Sequence, residues 1–142
     1  PNSYCSLEKS NCRRSRLPLE FTIHGLWPDN KSWPLLNCPY KSIPKIEDKE
    51  LVKKLDIHWP DLTRRRKRIP EQKFWITQWK KHGTCAFPRY SFKDYFIQAI
   101  ELKKKNNVLH MLEDKSLVPG DQPVDISDVH AAVLKVTGGA PI

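Results

Sequence analysis

The hydrophobic residues of the first third of the chain alternate with polar ones before a stretch rich in proline. Leu19, Phe21 and Ile23 recur at every second position, a period that predicts a β-strand. His24 would leave this strand on the face opposite Phe21 and Ile23. Four prolines fall within residues 28–44, so we expect a long loop there.

Later hydrophobic residues have the spacing of α-helices instead. They are Ile46, Leu51, Val52 and Leu55, then Phe74, Trp75 and Trp79, then Phe92, Tyr95, Phe96, Ala99 and Ile100, and finally Ile126, Val129, Val133 and Leu134. These groups predict a short helix after Pro44, a helix over 71–82, a helix that starts near 92 and runs into solvated lysines at 103–105, and a last helix.

Length and charge narrow the class of protein. A chain of 142 residues suits one domain. Its 25 Lys and Arg against 16 Asp and Glu give a formal net charge of +9, which favours nucleic acid, an anionic membrane or an acidic glycan without choosing between them. The sequence contains no run of about 18 apolar residues, so it predicts no membrane span. For the basic run at 64–68, we favour a solvated loop over a contact with RNA.

The cysteines indicate the compartment. An even count without a Cys-x-x-Cys pair favours two disulfides and an oxidising environment, and four reduced thiols in a cytosolic protein are the alternative. The four residues are Cys5, Cys12, Cys38 and Cys85. Asn30 begins a glycosylation sequon, which also favours the secretory path. No closely spaced His or Cys ligands predict a metal site.

Two histidines lie in segments rich in aromatic residues and glycine. His24 lies in FTIHGLWPD, and His82 lies in FWITQWKKHGTC with Lys81 beside it. RNA supplies its own nucleophile, the 2′-hydroxyl, so its cleavage needs a base, an acid and a cation that stabilises the phosphorane. Two imidazoles and a lysine suit these roles. Gln78, four residues before His82 on the predicted helix, can face the same pocket.

The competing interpretation is that the histidines are structural, since a lone histidine is more often a packed residue than a catalyst. We expect this structural or solvated role for His58, His110 and His130. A serine hydrolase would show G-x-S-x-G and a phosphate-cradling loop would show G-x-x-x-x-G-K-[ST], and the sequence contains neither.

The two histidine segments, residues 21–29 and 74–85, resemble the active-site segments of the ribonuclease T2 family. Trp59-Pro60-Asp61-Leu62 lies between them, as in the family. The similarity covers nearly the whole chain, up to the closing residues 138–142, and is greatest to the S-RNases of gametophytic self-incompatibility in flowering plants. It implies an α+β fold, with an antiparallel β-sheet flanked by several α-helices and stapled by disulfides.

The resemblance also implies roles for individual residues. Single-stranded RNA would be cut through a 2′,3′-cyclic phosphate without a cofactor or metal, with His82 as base, His24 as acid and Lys81 on the phosphate. The residues alone leave the order of acid and base open. Trp27 and Asp29 match positions that hold a nucleobase in some members, and core packing is the alternative for Trp27.

The chain departs from the family at Thr77 and Gln78, where many members have His-Glu. We expect both residues near the substrate, with an effect on rate more than on reaction type. The alternative is that Gln78 points to solvent or packs against Trp75.

The family also implies how the cysteines pair. We expect Cys5–Cys12, which are close in sequence, and Cys38–Cys85, which the family pairs.

We therefore predict a secreted, monomeric glycoprotein that carries its glycan on Asn30. Its substrate would be RNA, and the resemblance implies pollen F-box-type proteins as partners. DNA and membranes are not expected as partners. A stress or phosphate-starvation ribonuclease and a catalytically silent storage or recognition protein are the alternatives. Because the family continues beyond both ends of the chain, we expect a fragment of one ribonuclease domain, and the isolated residues 1–142 should express poorly or aggregate.

Overall fold

The structure is a computed structural model that describes residues 2–15, 17–30, 32–65, 67, 70–118, 120 and 123–139. The chain divides into two compact units, Pro1–Lys103 and Lys104–Ile142, and each is described by itself. That residues 1–142 form a single ribonuclease domain therefore stays a prediction. Pro1, Lys31 of the sequon, Arg66 and Arg68 of the basic run, and residues 140–142 of the closing segment lie outside the described residues.

The described part of the chain forms α-helices and one 3-10 helix. The α-helices are α1 (Asn2–Cys5), α2 (Lys49–His58), α3 (Lys73–Lys81), α4 (Phe92–Lys105), α5 (Val108–Glu113) and α6 (Ile126–Thr137), and the 3-10 helix is Gly83–Ala86. The four helices predicted from periodicity are confirmed as α2, α3, α4 and α6. Helix α5 was not predicted, because its six residues are too few to show a period.

Aromatic side chains fill the core of the first unit. The largest side chains in it that are wholly or almost wholly buried are Trp59, Trp75, Trp79, Tyr95 and Phe96. The five hydrophobic positions predicted for α4 are all buried, so its stripe faces this core. At the start of α2 the Asp48 carboxylate accepts hydrogen bonds from the amides of Glu50 and Leu51 at 3.0 Å, which satisfies amides that no helical carbonyl can reach.

The strand predicted over residues 19–24 is not formed. Within the described ranges no strand occurs, and one isolated antiparallel bridge joins Asp29 to Pro34. The alternation still places Ile23 against the core and leaves His24 exposed. A strand needs a neighbour that accepts its hydrogen bonds along its length. Among the described residues, this segment makes one backbone–backbone hydrogen bond, from the Ile23 amide to the His58 carbonyl at 2.8 Å.

Both predicted disulfides are confirmed. Cys5 pairs with Cys12, and Cys38 pairs with Cys85. The second bridge has a sequence separation of 47 and is worth roughly 4 kcal/mol in the chain-entropy model. It ties the predicted loop over 28–44 to the 3-10 helix that follows α3.

One expectation about exposure is wrong. Lys103 is not solvated, because its ammonium lies 2.5 Å from a Glu20 carboxylate oxygen and 3.1 Å from Nδ1 of His58, both within the first unit. In the second unit, two of the four hydrophobic residues that predicted α6 are exposed, Ile126 and Leu134, and the other two are half-buried. Ile126 is 79% exposed, and Ala132 is the residue of α6 that is buried.

We predict that Gly83→Ala destabilises the protein. A Cβ at Gly83 would lie 2.2 Å from Cε3 of Trp79, whose ring is fully buried and has no room to move. Overpacking of this kind costs about 1–3 kcal/mol, which denaturant unfolding of the oxidised protein would measure. Gly139→Ala is the matched control, since nothing lies within 4 Å of its Cβ. Equal midpoints for the two variants would contradict this packing.

Candidate active site

The segment that carries His24 is held by the core instead of by a sheet. The indole N–H of Trp59 donates to the His24 carbonyl at 3.2 Å, and the Tyr95 hydroxyl donates to the Leu26 carbonyl at 2.7 Å. Both donors belong to buried side chains, and a buried donor without an acceptor costs about 1–3 kcal/mol. These bonds therefore fix the backbone on both sides of Gly25.

The same core fixes the helix that leads to His82. Trp75 and Trp79 place one face of α3 in the core, and the Trp75 indole N–H donates to the Trp59 carbonyl at 2.8 Å. His82 is the residue that ends α3, and its amide donates to the Gln78 carbonyl at 3.0 Å. Trp59 thus accepts a hydrogen bond from α3 and donates one to the His24 segment.

Trp27 contacts both histidine rings. Its centroid lies 5.3 Å from that of His24, edge to face, and 5.6 Å from that of His82. The indole folds back over Gly25, where a Cβ would lie 2.2 Å from its Nε1, so any larger residue at this position would displace the indole. Trp27 is 56% exposed, which means that it is not a core residue and that its ring is open to a ligand.

His82 is adapted to stay neutral. It is 7% exposed, and burial lowers its pKa below the ordinary range. The positive charges of Lys81 and of protonated His24 lower the pKa of His82 further. Its Nδ1 is buried and has no hydrogen-bond partner among the described residues. A neutral imidazole with a low pKa is suited to accept a proton near neutral pH.

A cavity of about 400 Å³ is lined by His24 and Gln78, whereas Trp27 and His82 are not among its lining residues. The Gln78 Oε1 is buried without a hydrogen-bond partner in the described part of the chain. Gln78 thus lines a cavity with His24, while the expectation that it shares a pocket with Lys81 and His82 stays a prediction. An unpaired amide oxygen at a cavity wall is available to a ligand. His58, His110 and His130 do not line this cavity.

The remaining predicted residues lie elsewhere. Lys81 is exposed next to His82, and its carbonyl accepts a hydrogen bond from the Asn37 amide at 2.8 Å. The Thr77 hydroxyl donates to the Lys73 carbonyl at 2.9 Å, and Thr77 lines a different groove, on another face of α3. Asp29 and Asn30 are exposed in the loop, where the Asp29 carboxylate accepts from the Asn30 amide at 2.8 Å.

Sequence reasoning missed several residues of the cavity wall. They are Tyr4, Asp61, Thr63 and Phe74, of which Phe74 was named only as a packing residue and Asp61 only as part of a string shared with the family. The 61–62 segment is held by the stapled N-terminal segment, because the Arg13 amide donates to the Leu62 carbonyl at 2.8 Å and Arg14 Nε donates to the Asp61 carbonyl at 3.2 Å. The string Trp59-Pro60-Asp61-Leu62 was the available signal for Asp61, and nothing in the sequence pointed to Tyr4.

No group of three His, Cys, Asp or Glu side chains suited to a metal ion occurs in the described ranges. That the reaction needs no metal ion stays a prediction, because the arrangement of side chains alone does not test the reaction. Likewise, no helix formed by the described residues is both long and apolar enough to cross a bilayer.

The family model described as "Ribonuclease T2 family" matches residues 1–142, and the chain belongs to that family. It is 66% identical over 144 residues to "Ribonuclease S-2" of Antirrhinum hispanicum, a match that covers 100% of this chain and 61% of that protein. The resemblance to S-RNases is thereby confirmed. The chain spans about three fifths of the length of the curated relatives it matches.

Solved structures agree with this assignment. The self-incompatibility-associated SF11-RNase of Nicotiana alata is similar, with a TM-score of 0.74 and 35% identity over 87% of this chain and 63% of that one. RNase NT in complex with 5′-AMP is similar as well, with a TM-score of 0.81 and 28% identity over 98% of this chain and 69% of that one. The chain therefore has the ribonuclease T2 fold, with its helices and both disulfides, over the part that it covers.

We predict that Gln78→Glu raises the pKa of His82. A carboxylate one helical turn before the imidazole stabilises the charged form and opposes the effect of Lys81. The pKa is measured from the imidazole proton shifts in an NMR titration.

In the parent protein, the pKa of His82 should lie below its ordinary value of about 6.5. At pH values between the pKa of His82 in the folded protein and its ordinary value in the unfolded chain, the unfolded chain binds more protons. The free energy of unfolding should therefore rise with pH over that range.

Thr77→Glu is the matched control for this titration. It adds the same charge to α3, on the face that lines the other groove, so it should raise the pKa of His82 less. Equal shifts in the two variants, or no shift with Gln78→Glu, would remove Gln78 from the surroundings of His82.

Proposed function

We propose that the protein carrying this chain is an S-RNase-type endoribonuclease that cleaves single-stranded RNA through a 2′,3′-cyclic phosphate. The observation that carries the proposal is the arrangement of two histidines, one exposed and one buried, in contact with the same indole ring. Family membership and the 66% identity to Ribonuclease S-2 support it. The name S-RNase, with its role in self-incompatibility, comes from these relatives.

In the proposed reaction, neutral His82 removes the proton of the 2′-hydroxyl, and the oxygen attacks the adjacent phosphorus. Protonated His24 then gives its proton to the leaving 5′-oxygen, so the phosphodiester becomes a cyclic phosphate and a free 5′-hydroxyl. The lowered pKa of His82 supports its role as base, because the neutral form persists to lower pH. The exposed imidazole of His24 lines the cavity and can reach a leaving group there.

Other side chains bind and stabilise the substrate. Lys81 is a compact positive charge beside His82 and would stabilise the phosphorane. The half-exposed Trp27 ring offers a stacking surface for a nucleobase, and Asp29 is placed two residues further along the same loop. Gln78 would donate or accept a hydrogen bond from the cavity wall.

We extend the proposal to the whole protein as the family resemblance implies it. An antiparallel sheet would flank the helices, with the extended segment before His24 as one strand. The protein would be secreted, monomeric and glycosylated at Asn30, an exposed asparagine. Pollen F-box-type proteins would be its partners, and DNA and membranes would not. The two disulfides support an oxidising compartment.

Two other functions remain as alternatives within the same fold. A stress-induced ribonuclease would share the chemistry, and the chain is also 34% identical to a relative that is not named as an S-RNase, Ribonuclease 3 of Arabidopsis thaliana. A silent storage or recognition protein would not need the histidines in contact with one ring. Expression restricted to the style, in allele-specific form, would separate the S-RNase from the stress ribonuclease.

The purified protein should degrade RNA in excess EDTA and leave DNA intact, since the proposed nucleophile is the 2′-hydroxyl. Replacing either His24 or His82 with alanine should lower the rate by about 10²- to 10⁴-fold, as expected for a general acid or base. His130→Ala is the control, since His130 is exposed on α6 and should leave the rate unchanged. The products should carry a 2′,3′-cyclic phosphate.

Activity that disappears on chelation, or cleavage of DNA, would contradict the proposed chemistry. A His24 or His82 variant that keeps half of the parent rate would show that the acid and base lie elsewhere.

A further inference from the structure

A second groove lies on a face of α3 different from the one that carries Gln78. It has a volume of about 490 Å³, and four of its polar side chains define what we call the lysine groove: Lys45, Lys73, Thr77 and Lys80. Lys73 and Lys80 are seven residues apart, which separates them by about 10 Å along the helix axis. The groove is therefore long enough to hold more than one anionic group.

The charge of the lysine groove is unbalanced. Its one carboxylate, Glu71, is already held by Arg64, whose Nη1 lies 2.5 Å away, and by the Lys67 ammonium. Lys45, Lys73 and Lys80 form no ion pair with a described residue, and Lys73 has only a longer-range attraction to Glu71. Three ammonium groups around one groove favour a ligand with several negative charges.

The groove is also held in shape by a hydrogen-bonded clamp. The Gln72 side chain accepts from the Ile46 amide at 2.7 Å and donates to the Ile46 carbonyl at 2.9 Å. Ile46 is itself buried in the core. The clamp fixes the backbone next to Lys45 against the start of α3, so the segment that carries one lysine and the helix that carries the other two keep their relative positions.

Helical geometry links the groove to the proposed active site. Successive residues of an α-helix are rotated by about 100° around its axis, which places Lys81 between Thr77 of the groove and Gln78 of the cavity wall. A path around α3 from the cavity to the groove therefore passes Lys81. That path crosses a helix of about 10–12 Å diameter, so a ligand that reaches both must be longer than a dinucleotide.

We propose that the lysine groove binds backbone phosphates of the RNA strand beyond the nucleotides held at His24 and His82. This inference rests on the proposed function, since it continues the substrate from that site. Ile76 is the one hydrophobic side chain among the described residues that line the groove, whereas protein interfaces are centred on buried aromatic or other large anchors. None of the described residues that line the groove is aromatic, so no base stacks on them and binding there is independent of base sequence.

The experiment compares two triple variants with the same loss of charge. Lys45→Gln/Lys73→Gln/Lys80→Gln neutralises the groove. Lys49→Gln/Lys54→Gln/Lys135→Gln neutralises exposed lysines that do not line it. The probe is a 2′-O-methyl RNA of about twelve nucleotides, within the range of single-strand site sizes. It lacks the free 2′-hydroxyl and is not cleaved, so its binding is measured even if the protein cuts no RNA.

The groove variant should bind the probe more weakly than the control variant does. Its plot of log affinity against log salt concentration should be less steep than that of the control variant by about 2. Each phosphate contact contributes about 0.7 to this slope on single strands, and the groove variant loses three lysines. The same change should appear with oligo-U and oligo-A probes. Cleavage of a dinucleotide substrate should keep its kcat/KM, since a dinucleotide has one phosphate and does not reach the groove.

Equal losses in the two triple variants would overturn the inference, because net charge alone would then explain them. An unchanged salt slope in the groove variant would overturn it too. If polyglutamate displaces the probe from the parent as effectively as RNA does, and fails to do so from the groove variant, the groove is a docking surface for acidic protein and the inference is wrong. Failure of the parent to cleave RNA would contradict the proposed function alone, since the binding result stands separately.

Discussion

The hydrogen bond from the Trp59 indole to the His24 carbonyl is the constraint on which the candidate site depends. Trp59 is completely buried, and its N–H has this one acceptor at 3.2 Å. Breaking the bond would leave a buried donor unsatisfied, at a cost of about 1–3 kcal/mol. The segment around His24 is therefore bound to the core although no strand pairs with it in the described structure.

The position of Trp59 connects this segment to the rest of the site. Its own carbonyl accepts from Trp75 of α3, the helix that ends at His82, and its ring packs against Tyr95 and Phe96 of α4. The Tyr95 hydroxyl then holds Leu26, one residue before the ring that contacts both histidines. Packing of a few aromatic side chains thus determines how deeply His82 is buried, and burial is the main reason for its lowered pKa.

Local patterns predicted the helices and singled out the two histidines as candidates for the site, because a helical period and a motif each span only a few residues. The 19–24 alternation predicted which side chains face the core but not the absence of a strand, since pairing depends on a distant neighbour. Thr77 and Gln78 are adjacent in sequence yet line different grooves, which follows from the rotation of the helix once its buried face is known. The hydrogen bond from Trp59 to His24 and the Gln72 clamp join residues 35 and 26 positions apart, so neither leaves a local signal in the sequence.

The most direct test of this account is the pKa of His82 in Trp59→Phe, measured by NMR titration under conditions where the variant is folded. Phenylalanine keeps an aromatic ring in the core but removes the N–H that holds His24. The control is Trp33→Phe, since Trp33 is 75% exposed in the loop. We expect the pKa of His82 to rise toward its ordinary value in Trp59→Phe and to stay at the parent value in the control. A folded Trp59→Phe variant whose His82 titrates as in the parent would contradict the claim that this hydrogen bond positions the site.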